Sequence, residues 1–537
     1  MFDQAKSWPF QEARKLLAHV EQKGKKHGDV VTFETGYGPS GAPHIGTFAE
    51  VVRTLWVMKA FNALTQNAYQ TRLIMFSDDY DAMRKVPDGM PEWMNEHLGK
   101  PLTHVPSPYP FEEIQEASFG QANNELLARF VNEILKEYDG SELKNVPTGA
   151  RYCMASSTEY YAAGGFNDML DRVWDNYQAI MDVMLPTLGE DRRATYSPFM
   201  PVTPHEWGPT QVLQVPVQLT GNREIRFMPP MYEDSLTNVT SSIHNGLTKL
   251  QWKADWAMRW VYFDVDYEMS GKDLTDSVRE SSKICRILGG TPPIGMTYEL
   301  FLAKDGSKIS KSKGNGFSIE QWLRYGSKES LMNFLFQNPK QARPIFAELV
   351  PLQEDAALKQ KAMPELGPND AGWFWRAEPV AWRSVQDVNF SLLLNLAIVS
   401  QSKTAEALLT YLEESRGLVQ SEKVVLRKMA ERVINYAMDQ GLYDRARREP
   451  TEAELAAFCE LAGRFEMMVP DLDAEAFQFQ VYDVGKQHGF EPLRDWFKAL
   501  YECHLGSSDG PRFGMFVKCY GVQNTIALLR SHGVECG

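Results

Sequence analysis

An α/β fold is what this sequence predicts: a doubly wound domain interrupted by an insertion, with an all-α domain behind it. Three observations carry that reading. A β-branched apolar run passes through a Gly- and Pro-rich turn into a helical pattern and then a second apolar run. A lysine-rich segment, Lys308 to Asn315, follows far downstream. After Pro351 the chain is helical and charged almost to its end.

Taken in order, Val30 to Thr35 is short, β-branched and apolar, which marks a buried strand. Gly36, Gly38, Pro39 and Gly41 cannot sit inside a helix, so they form a loop. From His44 onward, Phe48, Val51, Val52, Leu55, Trp56 and Phe61 recur at helical period, and a helix is expected to about Leu64. Thr71 to Phe76 is a second strand, ending in Ser77-Asp78-Asp79-Tyr80-Asp81. Between Pro87 and Pro204 the pattern weakens into Pro-rich turns with helical stretches at 123–138 and 167–185, an insertion between the halves of the domain. Regularity returns with an aromatic helix at 250–260 and a strand at 266–270 leading into Gly271-Lys272-Asp273-Leu274. A helix at 276–288, a strand at 298–303 and the lysine segment follow. Apolar periodicity in 390–412, 422–440 and 452–467 then defines the all-α domain. The expected boundaries are 1–86 and 205–344 for the two halves, 87–204 for the insertion and 345–537 for the helices.

At 537 residues the chain exceeds a single core, and its 43% hydrophobic, 23% charged composition is that of a soluble globular protein. No apolar run approaches the ~20 residues that span a bilayer. The first ten residues lack a basic segment followed by an apolar one, so secretion is not expected. Cys153, Cys285, Cys459, Cys503, Cys519 and Cys536 are scattered without a CxxC pair, which argues for reduced thiols in the cytoplasm and against structural zinc. The net charge of −14 opposes nucleic-acid binding by the chain as a whole. Local charge differs: residues 301–343 hold eight Lys/Arg against three Asp/Glu. Residues 421–450 hold seven against five, and there a solvated face is an equal reading.

The first turn, Pro39-Ser40-Gly41-Ala42-Pro43-His44-Ile45-Gly46-Thr47, lies where a buried strand hands over to a helix N-terminus. Unpaired backbone N–H groups and the helix dipole favour an anion there. Gly41 and Gly46 remove side chains so that a nucleotide can approach the backbone, and His44 can donate to a phosphate oxygen. In the second segment Lys308, Lys311 and Lys313 stand among Ser310, Ser312 and Gly314, suited to delivering positive charge to a triphosphate. Alone, each turn reads as an ordinary βα turn or a solvated basic loop; together they imply one nucleotide site built from two distant halves. No GxxxxGK[ST] segment occurs, which excludes a P-loop NTPase of the usual kind. Gly271-Lys272-Asp273 supplies either an acid for ribose hydroxyls or a turn with an N-cap Asp. Asp78, Asp79 and Asp81 suit a cationic substrate or Mg²⁺, or cap a helix. Trp252, Trp256 and Trp260 recur at i, i+4, and Trp256 and Trp260 are read as core.

The pairing of these turns resembles the HIGH and KMSKS motifs of class I aminoacyl-tRNA synthetases. Gly-Pro-Ser-Gly-x-Pro-His-Ile-Gly-Thr, Asp78-Asp79-Tyr80-Asp81 with Arg84 to Pro87, the Trp252–Trp260 segment and the Lys308 loop together look like the class I lysyl-tRNA synthetase branch. The resemblance spans residues 30–320, with a C-terminal part similar to that family's helical anticodon-binding domain. It implies a split Rossmann domain that uses ATP with Mg²⁺ to activate L-lysine and transfers it to tRNA(Lys) with a U-rich anticodon. It involves no membrane and no DNA. By position it implies ATP contacts for Gly41, His44, Gly46, Gly271, Asp273, Ser310, Lys311 and Ser312, with His44, Lys308 and Lys311 catalytic. Gly36, Trp252 and Tyr298 fall near the amino acid, and lysine's charge adds Asp78 or Asp79 as counter-ion. Thr47 replaces the second histidine of HIGH, Leu274 replaces a histidine common after Gly-x-Asp, and the cysteine pairs of archaeal relatives are absent. A glutamyl-type enzyme would want a basic pocket instead, and a non-catalytic tRNA-binding paralogue would be expected to have lost parts of the two motifs.

Overall fold

The structure is a computed structural model. It describes residues 2–110, 114–115, 117–144, 150–203, 210–229, 238–307, 309, 317–375, 385, 387–469 and 472–532. The chain forms two compact units: Met1–Ser318 with Leu335–Ile345 and Gly367–Ala377, and Ile319–Phe334 with Phe346–Leu366 and Glu378–Gly537.

The first unit opens with α1 (Trp8–Gln22), β1 (Val30–Tyr37), α2 (Ile45–Leu64), β2 (Gln70–Ser77), α3 (Phe119–Tyr138) and β3 (Tyr152–Ser156). Four short helices follow, α4 (Ser157–Ala162), α5 (Asn167–Asp175), α6 (Tyr177–Met184) and α7 (Glu190–Thr195). Then come β4 (Phe199–Pro201), β5 (Gln218–Gly221), β6 (Glu224–Phe227), β7 (Val239–Ser242) and β8 (Thr248–Leu250). The unit continues through α8 (Trp252–Tyr262), β9 (Val265–Glu268), β10 (Ser270–Gly271), α9 (Thr275–Ile287) and β11 (Thr297–Tyr298). A four-stranded parallel sheet in the order β3-β2-β1-β9 lies at its centre, as the doubly wound reading requires. Its strands are buried on both faces, which is why β1 and β2 read as near-continuous apolar runs. The strand order reverses between β1 and β9, and in such sheets ligands bind at the C-terminal ends of the strands there.

The second unit is helical: Phe390–Ser400, Ala405–Arg416, Gln420–Asp439, Glu452–Glu466, Ala474–Gln487, Leu493–Leu505, Phe513–Tyr520 and Val522–Leu529. Asn389, Thr404, Thr451 and Asp473 cap four of these by accepting a backbone N–H with their side chains. Trp496 is fully buried between Phe458 and Phe490 and donates its indole N–H to the Val481 carbonyl at 2.8 Å. Among the described residues no helix is long and apolar enough to cross a membrane. Cys153, Cys285, Cys503 and Cys519 are buried free thiols.

Three local differences from the sequence reading have physical causes. Helix α1 precedes the first expected strand, its apolar face formed by Phe10, Ala13, Leu16 and Val20. The expected helix at 167–185 breaks at Asn176, whose φ of −108° and ψ of 18° end one helix and start the next. The sheet of β5, β6 and β7 is not among the elements expected from the sequence, although Gly221-Asn222 is a turn signal between its first two strands. Asn222 and Arg223 take positive φ, 53° and 58°, and Gly221 beside them 96°, which closes the β5–β6 hairpin.

One buried side chain ties the centre of the first unit together. The β1–β9 register sets Glu34 beside Glu268, two carboxylates in adjacent strands. Arg259 of α8 lies over the Phe76 ring at 4.1 Å and donates to Glu34 at 3.1 Å, Asp78 at 2.5 Å and Asp255 at 2.9 Å. Trp256 donates its indole N–H to Glu268 at 2.8 Å, and Trp260 donates to the same oxygen. Burial, reinforced by Glu268, drives Glu34 well above the usual carboxylate range against the pull of Arg259. Burial pushes Asp78 up to about 7, again with Arg259 opposing. Arg259→Met is expected to cost roughly 3–5 kcal/mol, because it leaves buried carboxylates without their cation. These carboxyls have raised affinities for protons, so acid neutralises them in the variant. Urea denaturation should therefore show a larger loss at pH 8 than at pH 5.5; an equal loss at both would show that packing, not charge, sets the cost.

Candidate active site

A crevice of about 380 Å³ opens at the switch point, lined by the end of β1, the start of α2 and the segment around β11. His44 is the N-cap of α2, with extended backbone (φ −105°, ψ 172°), and its Nδ1 accepts the Thr47 N–H at 3.1 Å. That bond leaves the ring proton on Nε2 of the neutral imidazole. A Cβ on Gly46 would stand 2.8 Å from His44 Cε1 and 3.0 Å from Nδ1. Glycine at 46 is thus what lets the imidazole fold back over the helix N-terminus, where backbone N–H groups and the dipole favour an anion.

The turn before His44 is braced from α3. Fully buried Asn123 donates to the Pro39 carbonyl at 2.9 Å and accepts from the Tyr109 hydroxyl at 2.7 Å. Asn124 accepts from the Ser77 hydroxyl at 2.7 Å and from Tyr37, and donates to Asp79 at 3.2 Å. Two adjacent amides therefore fix the loop and the end of β1, and the sequence offered no periodic signal for that role.

The other end of the crevice is acidic and aromatic. Glu50 of α2 accepts hydrogen bonds from the Tyr298 hydroxyl and the Gly36 backbone N–H. Burial pushes its carboxyl up to about 8, the two hydrogen bonds and Arg53 pulling the other way. Arg53 is buried, donates to the Leu335 carbonyl at 3.1 Å, and packs its guanidinium 5.6 Å from the Tyr298 ring centroid and 5.4 Å from that of Phe301. A Cβ on Gly36 would lie 3.3 Å from Arg259 Nη2 and 3.6 Å from Glu268 Oε1, so the missing side chain leaves the crevice floor in contact with the buried ion cluster.

Of the residues singled out in the sequence, Gly36, His44, Gly46, Asp273 and Tyr298 line this one crevice, although residues 36 and 298 are far apart in the chain. Gly41 is buried in the preceding loop. Gly271 sits behind Asp273, whose Oδ1 would be 2.7 Å from a Cβ there. Trp252 is 40% exposed and stacked on Trp256 with centroids 5.6 Å apart, outside the lining; Trp256 and Trp260 are buried. Asp78 and Asp79 are not among the residues that line this crevice. Asp78 is engaged by Arg259, and Asp79, fully buried, accepts the Thr158 N–H at 2.9 Å and hydroxyl at 3.0 Å. Lys308, Ser310, Lys311 and Ser312 lie outside the described residues. Glu50 and Arg53 were missed by sequence reasoning; their signal is two charges within the otherwise apolar face of α2.

Comparison with known proteins gives the family. The family model described as "tRNA synthetases class I (K)" matches residues 6–362. A lysine--tRNA ligase from Rickettsia bellii (strain OSU 85-389) is 38% identical over 537 residues, covering 98% of this chain and 97% of the relative. Another from Roseobacter denitrificans (strain ATCC 33942 / OCh 114) is 40% identical over 535 residues, covering 98% and 96%. With a matched region that contains the whole crevice and relatives alike from end to end, the chain belongs to the class I tRNA synthetases of the lysine (K) family.

Proposed function

We infer that the chain joins L-lysine to tRNA(Lys) at the expense of ATP; end-to-end likeness to lysine--tRNA ligases is the observation that carries this reading. ATP enters as its Mg²⁺ complex, with the ion held by the nucleotide's own phosphates and no protein ligand assigned to it. The lysine carboxylate oxygen attacks the α-phosphate; the bond to the β-phosphate breaks, giving lysyl-adenylate and pyrophosphate. A hydroxyl of the terminal tRNA adenosine then attacks the lysyl carbonyl, and AMP leaves. The work takes place in the cytoplasm, and the helical second unit serves as the anticodon-binding part.

In this reading the N-terminus of α2 and His44 Nε2–H receive phosphate oxygens as charge shifts during displacement. Lys311, with Lys308, neutralises charge on the departing pyrophosphate, and Ser310 and Ser312 hydrogen-bond to it. Asp273 takes the ribose hydroxyls, its carboxylate seated in the space that Gly271 leaves, and Gly41 leaves room for the nucleotide. Lysine lies along Gly36 with its alkyl stem against Tyr298 and Phe301, and its ε-ammonium at Glu50. An ammonium there would restore the ionised form of a carboxyl that burial otherwise holds protonated, and Tyr298 fixes its direction. An acidic rather than basic pocket end favours lysine over glutamate.

Three outcomes test this. Purified protein with ATP and tRNA should charge labelled lysine and not glutamate, and Lys311→Ala should lower kcat about 10²–10³-fold; charging of glutamate instead would overturn the reading. Glu50→Gln should raise the lysine KM about 10–100-fold, the worth of one charge-assisted contact. Because only ionised Glu50 attracts an ammonium, wild-type lysine KM should fall as pH rises from 6.5 to 8.5, while the variant's stays flat. Gly46→Ala should displace His44 and cut kcat by about 10² or more with an unchanged melting temperature. Normal turnover in that variant would remove His44 from the mechanism.

A further inference from the structure

An acidic pocket end turns glutamate away but leaves the other long cationic amino acid unaddressed. A carboxylate holds a guanidinium at least as well as an ammonium, because the planar fork matches both carboxylate oxygens. A pocket that takes lysine alone therefore needs a group that refuses arginine. Glu50 does part of this itself: the Tyr298 hydroxyl and the Gly36 N–H already occupy places on its carboxyl, which leaves less of it for a fork than for a single ammonium.

Arg53 lies one helical turn beyond Glu50 on α2, on the side away from His44, about 4.5 Å further along the axis at ~1.5 Å per residue. It is 2% exposed and yet lines the crevice. Its Nε donates to the Leu335 carbonyl at 3.1 Å, while Nη1 and Nη2 have no hydrogen-bond partner among the described residues. The rings of Tyr298 and Phe301, 5.6 and 5.4 Å from the guanidinium, fix its place together with the Leu335 bond. Burial brings its pKa down only to about 10, Tyr298 and Glu50 opposing and Arg343 adding to the fall, so the group is a full cation at neutral pH. A purely structural arginine spends its fork on the protein; this one keeps two donors and a charge at the cavity wall.

We propose that Arg53 sets the depth of the amino-acid pocket, closing the end beyond Glu50 to a second guanidinium and thereby selecting lysine against arginine. The inference rests on the placement of the lysine ammonium at Glu50 given above. With the carboxylate held at the α-phosphate, the lysine side chain ends at Glu50, and the Arg53 charge stays behind that contact. The arginine side chain is longer and broader, and its head runs past Glu50 onto the Nη atoms of Arg53. Two guanidinium groups then meet where water is excluded and like charges repel with little screening.

The test is charging of tRNA(Lys) with labelled lysine, with unlabelled arginine as competitor, in wild type, Arg53→Met and Arg53→Lys. In wild type the inhibition constant of arginine should exceed the lysine KM by about 100-fold or more. That ratio should fall at least about ten-fold in Arg53→Met and stay near the wild-type value in Arg53→Lys, which keeps the charge. An unchanged ratio in Arg53→Met, or the same fall in both variants, would overturn the assignment. So would wild-type protein that arginine inhibits at the lysine KM, a result that stands even if Arg53→Met folds poorly. Glu50→Gln separates this inference from the reading beneath it. An unchanged lysine KM in that variant removes the ammonium from Glu50, whatever the arginine ratio; a raised KM beside an unchanged ratio in Arg53→Met removes Arg53 alone.

Discussion

The guanidinium of Arg259 is the interaction on which the active unit depends. A parallel sheet places Glu34 and Glu268 side by side in its interior, and two like charges there repel at short range in a medium that screens them poorly. Arg259 answers both, and reaches Asp78 on the next strand and Asp255 on its own helix. Strands β1 and β2 and helix α8 are thereby fixed to one planar group at the ends of the strands where the crevice opens. A lysine could not replace it, since its donors radiate from one compact nitrogen, whereas Arg259 uses Nε for Glu34 and Nη1 for Asp78 and Asp255 across a planar fork.

Much of the crevice is shaped by absent side chains. At Gly36 the missing Cβ exposes the floor to Arg259 and Glu268; at Gly46 it leaves space for the His44 ring; at Gly271 it allows the Asp273 carboxylate to turn back. None of these three has a positive φ, so close approach is the constraint, not backbone freedom. The reason for Gly46 also differs from the one the sequence suggests: its space is taken by the protein's own imidazole and not held open for a nucleotide.

The legible parts of the chain were those with a local pattern. The strand, turn, helix and strand from Val30 to Ser77 follow from apolar periodicity and glycine placement, and His44, Gly46 and Asp273 from turns at the ends of such elements. What escaped notice depends on partners far away in sequence. Asp78 and Asp79 look like ligands because their neighbours Arg259, Thr158 and Asn124 are invisible to a linear reading. Glu50 looks like one solvated charge on a helix until Tyr298 is brought against it. Helix α1 precedes the first motif in the chain, and the β5–β6 hairpin is announced only by the dipeptide Gly221-Asn222.

The pairing of β1 with β9 bears on how the chain is made. About 230 residues separate the two strands, roughly 10–50 s of ribosomal synthesis at 5–20 residues per second. Throughout that interval β1, once paired to β2, presents an open edge to a crowded cell, and such edges recruit foreign strands. Glu34 stands in the middle of that edge with its guanidinium partner not yet translated. A charge that would have to be buried unpaired penalises every intruding strand except the one accompanied by Arg259. The residue that completes the active centre therefore also guards the unfinished sheet.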